Sequence, residues 1–132
     1  MKTLIAEDDL VNSAILQKIV EPYGKYDIAK NGEETIIKFL LASSYHLYDP
    51  YDLILLDINM PKKDGHTVLS EIRKYESMMG IKGLDGVKII MATASDDKKD
   101  IFKAFKNQCE DYIVKPYNKQ TIFPILKKLN LV

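Results

Sequence analysis

The chain has 132 residues, 46% hydrophobic and 29% charged, which is ordinary usage for one globular domain with its own core. Nineteen Lys and Arg balance nineteen Asp and Glu, a neutrality that excludes a general nucleic-acid or anionic-membrane binder, since such binders need a basic excess. The single cysteine, Cys109, excludes a disulfide framework and a cysteine-rich zinc site, and the apolar start Leu4-Ile5-Ala6 meets Glu7-Asp8-Asp9 too soon for a signal peptide or membrane span. Leu4-Ile5-Ala6 predicts a first strand. Val11, Ala14, Ile15 and Ile19 then share one helical face, and Pro22 and Gly24 end that helix. Tyr26-Asp27-Ile28-Ala29 predicts a weak second strand, Asn31-Gly32 a turn and cap, and residues 33–42 a helix with Ile36, Ile37 and Leu40 inward. Residues 43–51 are polar and tyrosine-rich and contain Pro50, which predicts a loop. Leu53-Ile54-Leu55-Leu56 is a continuous apolar run, as in a strand buried on both faces. Val68, Leu69, Ile72 and Tyr75 mark a third helix after Gly65, and a connector from Gly80 to Gly86 leads to a fourth strand at Val87 to Ala92. Ile101, Ala104 and Phe105 give a fourth helix capped by Ser95 or Asp96. Tyr112-Ile113-Val114 is a fifth strand, and Ile122, Ile125, Leu126 and Leu129 give the last helix.

Strands and helices in strict alternation imply a parallel sheet covered on both faces. Five of each in a chain this short suit a flavodoxin-like doubly wound α/β fold, (βα)5, with strand order 2-1-3-4-5, one domain over residues 1–132. Ligands of such sheets bind outside the carboxyl ends of the strands. Glu7, Asp8 and Asp9 follow the first strand, Asp57 the third, Thr93, Ala94 and Ser95 the fourth, and Lys115 and Pro116 the fifth. Of these, three carboxylates (Glu7, Asp8 and Asp57), the Thr93 hydroxyl and Lys115 therefore converge on one end of the sheet. Two carboxylates about 4 Å apart repel by about 4 kcal/mol at an effective dielectric near 20. A cluster of Glu7, Asp8 and Asp57 thus invites a cation. An all-oxygen donor set suits Mg2+, and Mg2+ beside a lysine handles phosphate. A carboxylate there can also be a nucleophile, forming an aspartyl phosphate.

The chain resembles receiver domains of two-component response regulators, specifically the CheY-like, stand-alone group. The likeness rests on Glu7-Asp8, on Asp57-Ile58-Asn59-Met60-Pro61-Lys62-Lys63-Asp64-Gly65, on Thr93-Ala94 and on Tyr112-Ile113-Val114-Lys115-Pro116. It implies Asp57 as phosphoacceptor and Asp8 as a direct Mg2+ ligand, with Glu7 helping through water and the Asn59 backbone carbonyl as a further ligand. It further implies Thr93 hydrogen-bonded to the phosphoryl group, Lys115 paired with it, a cis Lys115-Pro116 peptide, and Thr93 and Tyr112 as the switch pair. The donor would be a sensor histidine kinase or a histidine phosphotransfer protein. The output would be a protein-docking face for an unknown target, including Lys99, Phe102, Lys106, Tyr112 and Lys119, without direct nucleic-acid or membrane contact. The protein would be cytoplasmic, and its chemistry self-phosphorylation and self-dephosphorylation rather than conventional enzyme turnover. The start at Met1 and the end after the fifth helix fit a whole, single-domain product.

The sequence departs from the family at Gln108, where glycine is common, at Pro124 inside the last helix, and in long connectors at residues 43–51 and 80–86, whose tyrosines are expected to pack. Gly65 is expected to supply a permissive backbone angle, Asp9 a cap or an outer charge beside the site, His46 and His66 surface positions, and Cys109 a small buried side chain. Two alternatives stay open. An aspartate-nucleophile phosphatase of haloacid-dehalogenase type needs a second Asp two residues after the first, where Asn59 stands, and a cap domain. A degenerate receiver acting only as a binding module is at odds with the complete set Glu7, Asp8, Asp57, Thr93 and Lys115. A flavin carrier needs a phosphate loop where the chain is acidic.

Overall fold

The computed structural model describes residues 1–44, 46–94 and 98–132. Its elements in chain order are β1 (Lys2–Ala6), α1 (Leu10–Val20), β2 (Lys25–Ala29), α2 (Gly32–Ala42), β3 (Leu53–Asp57), α3 (Gly65–Met78), β4 (Lys88–Thr93), α4 (Lys98–Lys106), β5 (Asp111–Val114) and α5 (Lys119–Lys128). The strands form one parallel sheet in the order β2-β1-β3-β4-β5, as the alternation predicts. Alternate residues of the central strands feed two cores. Leu4, Ile54, Leu56, Ile89 and Met91 pack under α2, α3 and α4, while Ile5, Leu53, Leu55, Ile90 and Ala92 pack under α1 and α5. Asp9, Asn31, Asp64 and Asn118 each accept a backbone N–H from three residues on and so cap α1, α2, α3 and α5. The expected cap of α4, Ser95 or Asp96, lies outside the described residues. Among the described residues no helix is long and apolar enough to cross a membrane.

Several inward faces differ from those the spacing predicts. α1 buries Ser13, Leu16, Ile19 and Val20, and leaves Val11 69% exposed. α2 buries Thr35, Phe39 and Ala42, whereas Ile37 is 57% exposed and Leu40 also faces out. Both helices carry two overlapping apolar stripes, and periodicity does not say which one meets the sheet. Thr35 can go inward because its hydroxyl donates to the Asn31 carbonyl at 2.8 Å. In α4 only Ala104 is buried, with Phe102 and Phe105 exposed.

Local expectations fare unevenly. Gly65 does not need a left-handed backbone; a Cβ there would stand 2.5 Å from the Asp57 carbonyl oxygen, so close approach demands the glycine. Gln108 does take the left-handed conformation a glycine would, with φ 72°. α5 starts at Lys119 and passes through Pro124, which lies on the exposed face, where solvent can take the carbonyl that proline leaves unpaired. Tyr51 packs, its hydroxyl 2.6 Å from Asp27 Oδ2, but Tyr48 is exposed; Tyr45 lies outside the described residues. Cys109 is buried as expected and burial pushes its thiol up to about 12. His46 is exposed. His66 is not a surface residue: it is 7% exposed, between α3 and α4, with Nε2 3.3 Å from Asp100 Oδ1.

A buried ionic network at the amino-terminal end of β4 and β5 was not legible in the sequence. Arg73 donates to Glu76 Oε1 at 2.6 Å, to Glu110 Oε1 at 2.8 Å and to the Gln108 carbonyl at 2.8 Å. The two carboxylates also accept the Val87 and Ile89 backbone N–H groups at 2.8 and 2.7 Å. Each carboxylate taken from water here meets the guanidinium and a backbone donor, the condition for burying it, though Glu110 Oε2 is buried with no hydrogen-bond partner among the described residues.

Candidate active site

Backbone bonds carry the strand ladder past the strand ends and fix the loops that bear the reactive residues. Glu7 N–H donates to Ala29 O at 3.0 Å, Ile58 N–H to Ala92 O at 2.8 Å, and Lys115 N–H to Thr93 O at 2.8 Å. Glu7 and Asp57 are each 1% exposed, and Asp8 beside them faces solvent. One carboxylate oxygen from each of Glu7, Asp8 and Asp57 lies within 4.8 Å of the others. Lys115 Nζ reaches into the cluster from the loop after β5, 3.2 Å from Asp57 Oδ2 and 3.3 Å from Glu7 Oε1. Asn59 N–H donates to Asp57 Oδ1 at 3.1 Å, so the loop after β3 wraps back over the carboxylate. Thr93 ends β4, 2% exposed, one residue beyond the Ala92 that pairs with Asp57. The cis Lys115-Pro116 peptide is present.

The charges show in the titration of the group. Burial, a side-chain hydrogen bond with Asp57 and the Asp57 charge hold the Glu7 carboxyl above the usual range, against Lys115 and the Asp9 N–H. Burial works to lower Lys115, but Asp57 and Glu7 outweigh it and keep the ammonium protonated. The donor set is all oxygen, hard and doubly anionic beyond what one lysine neutralises. It fits a hard divalent cation such as Mg2+.

The structure thus brings together Glu7, Asp8, Asp57, Asn59, Thr93 and Lys115 at one end of the sheet. Tyr112 stands apart on the α4 side, its ring 5.8 Å from that of Phe105 in an edge-to-face contact. One participant escapes a reading limited to the first residue or two after each strand. Tyr117, 5% exposed, donates its hydroxyl to Glu7 Oε1 at 3.1 Å. Burial and then the Glu7 and Asp57 charges push that hydroxyl far up, so it stays a donor.

An open parallel sheet with an acidic, lysine-bearing cluster at its carboxyl end defines a class of Asp-centred α/β domains. Residues 3–127 match the response regulator receiver domain family. The chain belongs to that family and is a receiver domain of two-component signalling. The haloacid-dehalogenase reading is not favoured. Among curated relatives, the hybrid signal transduction histidine kinase L of Dictyostelium discoideum is 35% identical over 96% of this chain, which covers 7% of that protein. The chain spans 7%, 54% and 48% of the length of three of the curated relatives it matches. Among solved structures, the CheX-CheY-BeF3-Mg2+ complex of Borrelia burgdorferi is similar with TM-score 0.83 and 25% identity, covering 98% of this chain and 89% of that one. The complex of the histidine phosphotransfer signaling protein Ypd1 with the receiver domain of Ssk1, from Saccharomyces cerevisiae, is similar with TM-score 0.82 and 27% identity, covering 100% and 92%.

Proposed function

We propose that this receiver domain takes a phosphoryl group onto Asp57 from a phosphohistidine, in a Mg2+-dependent reaction, and switches a protein-docking face. The seating of Asp57 carries the reading: a carboxylate 1% exposed, with Lys115 Nζ 3.2 Å away and Glu7 and Asp8 beside it. One Asp57 oxygen attacks phosphorus, the P–N bond to the donor imidazole breaks, and its electron pair returns to the imidazole nitrogen. Lys115 turns from the carboxylates to a phosphoryl oxygen, and the Thr93 hydroxyl donates to another. Glu7, Asp8, Asp57 and the Asn59 backbone carbonyl would hold the cation. Mg2+ bound there neutralises the carboxylates and draws charge from the phosphoryl oxygens. Water later hydrolyses the acyl phosphate and resets Asp57.

The donor is a sensor histidine kinase or histidine phosphotransfer protein working in the cytoplasm. The face it docks on is the apolar strip of Leu10, Val11 and Ala14, exposed at the start of α1 directly after Asp8 and Asp9 and backed by the partly buried Ile15. The neighbouring Ypd1 complex supports that kind of partner. The output leaves through Thr93 and Tyr112 to a downstream protein that meets Phe102, Phe105 and Lys119, without nucleic acid or membrane. Acetyl phosphate with Mg2+ should add one acid-stable, base-labile phosphoryl group, and Asp57→Ala should abolish it. Equal labelling of the variant would overturn the assignment.

A further inference from the structure

We infer that Tyr117 is a positioning residue of the cation site, holding Glu7 in place through its hydroxyl. This rests on the reading of Glu7, Asp8 and Asp57 as the carboxylates that hold Mg2+, directly or through water. Glu7 Oε1 has two side-chain partners on the β5 side, Tyr117 Oη at 3.1 Å and Lys115 Nζ at 3.3 Å. The two differ in permanence. Lys115 is on a long, rotatable stem, is shared with Asp57 at 3.2 Å, and is the group that must turn to a phosphoryl oxygen when one arrives. Tyr117 is not free to turn. Its ring is 5% exposed and belongs to the core under α1 and α5, with Leu126 and Ile122 in the same cluster. The Lys115 ammonium also sits over that ring, 5.9 Å from its centroid.

Once Lys115 departs, the hydroxyl is the rigid donor left on Oε1. Glu7 Oε2 takes a longer bond from Asp9 N–H, at 3.4 Å. A carboxylate free to rotate about its last bond would present its oxygens to a cation only part of the time. Outer partners that orient metal-binding carboxylates are worth about 10- to 100-fold in affinity when lost. A phenylalanine at position 117 would fill the same core space and still satisfy packing, but would leave Glu7 without its fixed donor.

The experiment is isothermal titration of Mg2+ into wild type and Tyr117→Phe, with the rate of labelling by acetyl phosphate measured across the same Mg2+ range. Tyr117→Phe should bind Mg2+ about tenfold more weakly. Its labelling should be slow at low Mg2+ and return to the wild-type rate at saturation, a rescue that a general loss of structure does not give. Equal affinity in the two proteins overturns the role of Tyr117 while leaving the cation site standing. A labelling defect that persists at saturating Mg2+ overturns it too, because the hydroxyl would then act elsewhere than on the cation. Absence of Mg2+ binding by wild type overturns the cation site itself and the inference with it.

Discussion

Asp8 is the outermost of the three clustered carboxylates, and it is the one that solvent already screens. Its removal should therefore reveal what the cluster does to the fold. A ligand that binds only the native state raises stability by mass action, roughly 2.7 kcal/mol at about one hundred times its Kd. Wild type should gain that much on going from EDTA to saturating Mg2+. Asp8→Ala should lose the gain and match or exceed wild type in EDTA, since one repelling charge is gone. Thermal melts of both proteins in both solutions measure this, and a wild-type Tm unmoved by millimolar Mg2+ would count against the site. The same residue-level view explains why Tyr117 was hard to foresee. A buried tyrosine is usually core, and only the 3.1 Å bond to Glu7, across most of the chain, makes it part of the site.

Elements are held together by contacts of two kinds, and the less visible kind is the more fragile. Arg73 on α3 ties the turn before β5 to the start of β4 through Glu76 and Glu110, whose side chains are 5% and 3% exposed. Removing one partner of such a buried group costs about 3–5 kcal/mol. Arg73→Met should destabilise by that much at pH 7. Burial already holds the Glu110 carboxyl above its ordinary 4.5, against the Ile89 N–H and Arg73. A raised acid favours the folded state below its unfolded value, and that contribution is lost as pH climbs through the folded value. With Arg73 gone the rise is larger, so the deficit should shrink as pH falls from 7 toward 4.5. Urea melts at several pH values test this, and a pH-independent deficit would contradict it. Strands and the caps of α1 and α2 were legible in the sequence because each rests on local pattern, such as the continuous apolar run at Leu53–Leu56 or the Asp9 and Asn31 before a helix, and strand order followed from the alternation of strands and helices; the caps Asp64 and Asn118 were not read from it. The site was legible because residues after strands converge by topology alone. The inward faces of α1 and α2 were not, because Val11 and Ile37 satisfy the helical period as well as Leu16 and Phe39 do. The Arg73 network was not, because nothing in local spacing announces an ion pair across 37 residues.

At the scale of the whole molecule, the reactive end and the α4–β5 face must communicate for phosphorylation to matter. Thr93 at the end of β4 and Tyr112 against Phe105 are the groups through which they would do so. A ligand shifts such an equilibrium only by its differential affinity for the two states. Thr93→Ala should therefore still accept phosphate at Asp57 but lose most of the response. Amide NMR with a phosphoryl mimic tests this: wild-type shifts should extend to residues 98–106 and 112, and shifts confined to the loops around Asp57 would sink the switch. The topology has one more result. Lys115 follows a four-residue edge strand that pairs with β4 on one side, yet it grips Asp57, 58 residues earlier at the end of the central strand β3, and Glu7 just after β1. Edge elements open to solvent at lower free energy than the middle of a sheet. The ammonium thus acts as a latch between an edge strand and the middle of the sheet, and hydrogen–deuterium exchange can read whether it is closed. Lys115→Met should speed exchange at the Ile113 and Val114 amides while those of Ile5 and Leu55 keep their protection, so that the rim of the sheet reports the state of its centre.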